Sequence, residues 1–163
     1  MRRAVNASVV ALALLLGLVA PVVAGPFEDA LAAWNRGDYA TALQIIRPLA
    51  VQGDAGGQYY LGIMYANGWG VSQDFAEAAR LYRLAAVQGY ALAQNNLGAL
   101  YANGQGVPRD YVQAYMWLDI AAKRLPPGAN NTAKRRDLIA AKMTPAQITE
   151  ARRLAREWKP EPK

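Results

Sequence analysis

A chain of 163 residues, 53% hydrophobic and 18% charged, is long enough for one folded domain with a continuous core. It holds no Cys and no His, which excludes disulfide stapling, Ser-His-Asp and Cys-His catalysis, and the usual zinc sites. The formal net charge of +6 is uneven: residues 25–122 carry 5 Lys/Arg against 8 Asp/Glu, whereas residues 123–163 carry 11 against 4.

Residues 1–24 read as a signal peptide. Arg2 and Arg3 form a basic start, Val9 to Ala20 is an almost unbroken apolar run, and Val22-Val23-Ala24 ends in small residues suited to cleavage. The run is shorter than the roughly 20 residues a spanning helix prefers. With the absence of Cys, this leader predicts a periplasmic or secreted bacterial protein, its mature part forming one domain over residues 25–163.

The mature chain is organised by a repeat. LGIMYANGWGVSQD from Leu61 and LGALYANGQGVPRD from Leu97 align over a spacing of 36 residues. Leu61, Gly62, Tyr65, Gly68, Gly70 and Asp74 face Leu97, Gly98, Tyr101, Gly104, Gly106 and Asp110. A period of this length predicts stacked helix pairs, each burying its apolar face against the next.

In chain order, an N-terminal hairpin covers residues 25–53. Its first helix carries Ala30, Leu31 and Trp34 at helical spacing and stops at Gly37; Asp38 caps a second helix facing inward through Tyr39, Ala42, Leu43, Ile46 and Leu49. Residues 54–89 form one repeat, with helices over 55–66 and 75–87 joined by Asn67-Gly68-Trp69-Gly70. Asp74 with Glu77 reads as a capping box. Residues 90–124 repeat the plan over 91–102 and 111–123. Leu125-Pro126-Pro127-Gly128 then breaks the period. Two capping helices follow within residues 125–163: one from Asn131 or Thr132 to about Lys142, with Leu138 and Ile139 on its apolar side, and one from Pro145 to about Trp158. Thr144-Pro145-Ala146-Gln147 supplies the start of the last. Eight helices in four antiparallel pairs are expected.

Leu61 and Tyr65, like Leu97 and Tyr101, lie four apart and so share a face directed into their own hairpin. Gly inside a helix costs about 1 kcal/mol relative to Ala, so Gly62 and Gly98 at one phase imply a helix crossing too close for a side chain. All of these are read as core.

The motif LGxxYxxGxGVxxD, present twice in full, is similar to that of the Sel-one-like repeat family, relatives of tetratricopeptide repeats with a longer loop between helices. The resemblance covers about residues 38–122, and the TPAQITEARRLAREW tail also looks like the terminal helix of short secreted bacterial members. It implies an all-α, right-handed α-solenoid of antiparallel helix pairs, acting as an adaptor or scaffold for protein complexes, with no catalytic residues to carry over. Two departures bear on the curvature of the groove: the first hairpin lacks the long glycine loop, and the Pro-Pro-Gly insertion interrupts the fourth unit.

Tetratricopeptide-like arrays line their concave face with the first helix of each pair. Opposite the Leu61/Tyr65 phase, that face would carry Tyr59, Ile63, Ala66 and Asn67, then Asn95, Ala99, Ala102 and Asn103, as contacts for a partner protein. Trp69, matched by Gln105 in the next unit, is either an exposed anchor or a lid over the neighbouring loop. A rival reading places function in the basic cap, where Lys134, Arg135, Arg136, Arg152, Arg153 and Arg156 would meet an anionic membrane surface or another polyanion. The Asp residues at helix starts are read as caps. No catalysis, cofactor, metal or small-molecule substrate is expected. The glycine pairs lack the preceding strand of a nucleotide loop, and the basic clusters lack the interleaved aromatics of nucleic-acid binders.

Overall fold

Helix starts explain most of the architecture, because the first amides of a helix need acceptors that the helix itself cannot supply. In the computed structural model, which describes residues 25–161, four aspartates provide them. The Asp38 carboxylate accepts from Thr41 N at 3.1 Å, Asp54 from Gly57 N at 2.7 Å, Asp74 from Ala76 N and Glu77 N at 2.9 and 3.0 Å, and Asp110 from Gln113 N at 3.0 Å. Thr144 and Gln147 form a reciprocal capping box, at 3.2 Å for Gln147 N to Thr144 Oγ1 and 2.8 Å for Thr144 N to Gln147 Oε1. At Asp74 the expected box is only half made: Glu77 turns outward to Arg80 at 2.6 Å instead of reaching back. The signal-peptide reading falls outside the described residues.

Among the described residues eight α-helices result: α1 (Pro26–Asn35), α2 (Tyr39–Val51), α3 (Ala55–Asn67), α4 (Phe75–Val87), α5 (Ala91–Asn103), α6 (Tyr111–Ala122), α7 (Thr132–Ala140) and α8 (Pro145–Glu157). A 3-10 turn at Ala129–Asn131, unforeseen in the sequence, precedes α7. From α1 to α6 every helix packs on the next, giving three antiparallel pairs stacked as an α-solenoid. The last pair departs from the expected hairpin. Both α7 and α8 pack on α6, and they scarcely touch each other.

Repetition is faithful in the two central units. Asp74 N donates to Tyr65 O at 2.9 Å and Asp110 N to Tyr101 O at 3.0 Å, pinning each long loop back onto its own helix. Gly68 and Gly104 close α3 and α5 in the left-handed region, at φ 70° and 69°. Gly62 and Gly98 lie at helix crossings: a Cβ there would sit 2.7 Å from the Tyr82 ring and 2.8 Å from Leu118 Cγ, respectively. Leu61 and Leu97 are buried, while Tyr65 and Tyr101 are half-buried against the same cores, with the Tyr101 hydroxyl taking a hydrogen bond from Arg83.

One polar rung was absent from the sequence reading. Gln58 Nε2 donates to Ala50 O at 3.4 Å and Gln94 Nε2 to Ala86 O at 3.0 Å, both buried and 36 residues apart. Each ties the first helix of a unit to the last carbonyls of the unit before it. The chain end also turns back on the array: Arg124 lies 4.8 Å over the Trp158 ring, and Glu161 N donates to Val87 O at 2.9 Å.

Candidate functional site

The expected groove residues separate into two groups. Tyr59, half-buried, packs against Tyr60, Tyr82 and Tyr90, with ring centroids 5.2, 6.0 and 5.0 Å apart. Burial holds its phenol well above the ordinary range. Ile63 packs into the same cluster. Asn95 is only 2% exposed. Its Nδ2 donates to Asn96 Oδ1 and its Oδ1 accepts from the Thr132 hydroxyl, both at 3.0 Å. Asn95 therefore ties α5 to α7 and is not a groove contact, and Tyr59 and Ile63 belong to the interface between units.

The phase argument fails here for a physical reason. A helix inside a solenoid touches its own partner, the unit before and the unit after, so the side opposite the hairpin is not free. The sequence of α3 carried a sign of this, since Tyr59, Tyr60, Leu61, Ile63, Met64 and Tyr65 surround the helix instead of forming one stripe.

Trp69 resolves to the second of its two readings. Its ring stacks on Tyr39 at 4.8 Å and 10°, and meets Trp34 edge-on at 5.3 Å. It joins the long loop of the second unit to the first hairpin, which has no such loop of its own. Asn67 is exposed, with Nδ2 bonded to Ile63 O at 2.8 Å.

Ala99 and Asn103 line a cavity of about 310 Å³. With Ala102 and Leu118 they form one wall, and Arg135, Leu138 and Ile139 of α7, with Lys142 just beyond it, form the other. Leu138 was expected on the buried side of its helix. It is instead 58% exposed, and its neighbour Ile139 is the residue that packs on α6. Asn103 Nδ2 bonds Gln105 Oε1 at 3.0 Å at the outer edge.

The basic cap does not form one surface. Arg153 sits between Glu150 at 2.7 Å and Glu157 at 2.5 Å, and these bonds hold its guanidinium pKa far above the ordinary value. Arg136 bridges Asp119 at 3.1 Å and Asp137 at 2.8 Å. Burial works against its charge, and the two carboxylates outweigh that effect. Arg152 and Arg156 line a second cavity, between α7 and α8, while Arg135 borders the first. Lys134 is exposed on α7. Among the described residues no group of three or more acidic side chains converges on a metal position, and no helix is long and apolar enough to cross a membrane.

Stacked antiparallel helix pairs with long pinned loops define a tetratricopeptide-like α-solenoid. The Sel1 repeat model matches residues 55–90 and 91–124. A Sel1 repeat protein from Oxalobacter formigenes is 34% identical, aligning over 69% of this chain and 85% of its own with a TM-score of 0.60. A protective antigen present in uropathogenic Escherichia coli strains, displaying an SLR fold, is 30% identical with a TM-score of 0.75. The alignment covers 82% of this chain but only 29% of that one. Comparison with curated proteins yields no match. The chain belongs to the Sel1 repeat family.

Proposed function

We propose that this protein is a periplasmic or secreted interaction module that holds a segment of a partner protein at the C-terminal end of its concave face, between α5 and α7. The observation that carries this reading is the amphipathic cavity there. Leu118, Ile139 and the exposed Leu138 offer apolar surface beside Ala99 and Ala102, and Arg135 and Lys142 border it. The two alanines let a partner backbone approach α5 closely, and Leu138 gains burial only when something covers it. A contact of this kind takes most of its free energy from apolar area, at about 25 cal/mol per Å² removed from water, and so resists salt. The rival, a polyanion or membrane surface held by the cap, relies on charge and weakens steeply as salt rises.

The test is recovery of the partner from the native export fraction by the wild type and by Leu138→Glu and Ala99→Trp variants, at about 0.05 and about 0.5 M salt. The groove reading expects capture that survives high salt and is lost in both variants. Capture that persists in both variants and disappears in high salt would replace it with the rival.

A further inference from the structure

We propose that the cleft between α7 and α8 is a binding site for a compact dianionic oxyanion, a phosphate group. The cleft exists because the two helices lean on α6 and not on each other. It has a volume of about 340 Å³, with Tyr115 and Asp119 on the α6 side, Arg136 on α7 and Arg152 and Arg156 on α8; Lys123 stands at its edge.

The distribution of charge is selective. Asp119, nearly buried, is saturated: one oxygen takes Lys123 Nζ at 2.6 Å and the other Arg136 Nη1 at 3.1 Å. Asp137 is occupied by the rest of the Arg136 guanidinium, at 2.9 and 2.8 Å. Four cations against two carboxylates leave two positive charges facing the cleft, and both belong to α8. Arg152 and Arg156, one helical turn apart, form no ion pair among the described residues. Arg152 is already oriented, its Nε donating to Tyr115 Oη at 3.2 Å, which leaves its terminal nitrogens free. Their neighbour Arg153 points outward and is bracketed by Glu150 and Glu157. The helix thus spends its acidic residues on the outer arginine and leaves the inner two unmatched.

Two guanidinium groups present paired N–H donors at the spacing of oxyanion oxygens, and a doubly charged group matches the residual charge. A phosphomonoester carries two charges above its second pKa of about 6. The cleft is open to solvent, and Arg152 and Arg156 stand exposed along its α8 wall, within reach of a phosphate group. The phosphate is either soluble or part of a lipid headgroup.

Calorimetric titration of the full chain with inorganic phosphate tests the site, alongside Arg152→Gln/Arg156→Gln, the single Arg156→Gln, and Arg153→Gln as a charge control from the same helix. The expected result is phosphate binding by the wild type, weakened about tenfold or more in the double variant and several-fold in Arg156→Gln, with Arg153→Gln within twofold of wild type. No binding by the wild type at millimolar phosphate overturns the proposal. So does equal weakening in Arg153→Gln, or equal binding of acetate. The single variant guards against misfolding of the double one, because Arg156 holds no partner among the described residues. Vesicles of phosphatidic acid in phosphatidylcholine identify the source. Vesicle binding that phosphate displaces and the double variant lacks assigns a lipid headgroup, and phosphate binding without vesicle binding assigns a soluble phosphate.

Discussion

Gly106→Ala isolates what holds one unit against the next, when read beside Gly68→Ala. Both glycines lie in the left-handed region, at φ 68° and 70°, so a side chain at either costs about 1–2 kcal/mol of backbone strain. Their surroundings differ sharply. At Gly68 a Cβ meets nothing closer than Gln73 Cβ at 3.4 Å. At Gly106 it would fall 2.1 Å from the Phe75 carbonyl oxygen and 2.2 Å from its carbon. These are main-chain atoms at the start of α4 in the preceding unit, so no rotamer relieves the clash. The loop must lift away, which adds about 1–3 kcal/mol. Gly68→Ala should therefore destabilise by about 1–2 kcal/mol and Gly106→Ala by about 2–5 kcal/mol. Denaturant unfolding measures both, and the m-value reports whether the array still melts as one unit. Equal losses in the two variants would refute the claim that loop-to-helix approach sets the register of the solenoid.

Leu97 is fully buried, so Leu97→Ala should cost about 2–5 kcal/mol in the same assay, through the cavity it leaves. Asp110→Ala should cost about 0.5–2 kcal/mol by freeing Gln113 N from its cap. Thr132→Val strips the buried Asn95 Oδ1 of its donor, a loss of about 1–3 kcal/mol that hydrogen exchange should place at the start of α7. Alkaline titration should find late phenols at Tyr59 and Tyr82, with Tyr90 also raised by burial. Burial favours the neutral form of Tyr82, raising its pKa to about 12, and raises that of Tyr59 further. Their stabilisation is complete below the ordinary phenol pKa of 10.0 and is lost as pH climbs from there through the raised values. Phenolate difference spectra should show Tyr59 and Tyr82 ionising only as the fold opens; ionisation of every tyrosine near pH 10 with the fold intact would contradict the packing of the ring cluster.

What the sequence made legible was whatever repeats. The 36-residue register placed the helices from α3 to α6 to within a residue or so at each end, the helix-crossing glycines and the aspartate caps, because each is a local rule stated twice. It missed the Gln58 and Gln94 rung, although both stand in register, since a glutamine has no intrinsic preference for a helix-to-helix bond and reads as surface. The groove was harder. Asn95 and Tyr59 share a repeat position yet do different work, one holding Thr132 and the other stacking among tyrosines, because their neighbours differ. Helical phase shows which side faces the hairpin partner; it does not show that the far side is covered by the following unit. Nor did composition reveal which basic residues of the cap were already neutralised, since Arg152 and Arg153 differ only in the face of α8 they occupy.

Both candidate sites border α7, and the break in the repeat is why. In the regular steps the first helix of a unit packs on the second helix of the unit before, α3 on α2 and α5 on α4. Helix α7 keeps this by packing on α6, but α8 packs on α6 as well instead of closing a hairpin with α7. The Leu125–Gly128 insertion and the 3-10 turn, with Asn130 and Asn131 at positive φ, lead into α7. The chain fixes its first turn to α5 through Thr132 and Asn95 and its middle to α6 through Arg136 and Asp119. The rest of α7 packs on α6 through Ile139. Toward α5 it leaves the apolar cavity with Leu138 exposed; toward α8 it leaves the arginine cleft. Regular repetition builds a stable scaffold because every unit covers the one before it, and surfaces open to a partner arise where that covering fails. Here the interruption supplies them, one apolar and one cationic, on opposite flanks of a nine-residue helix.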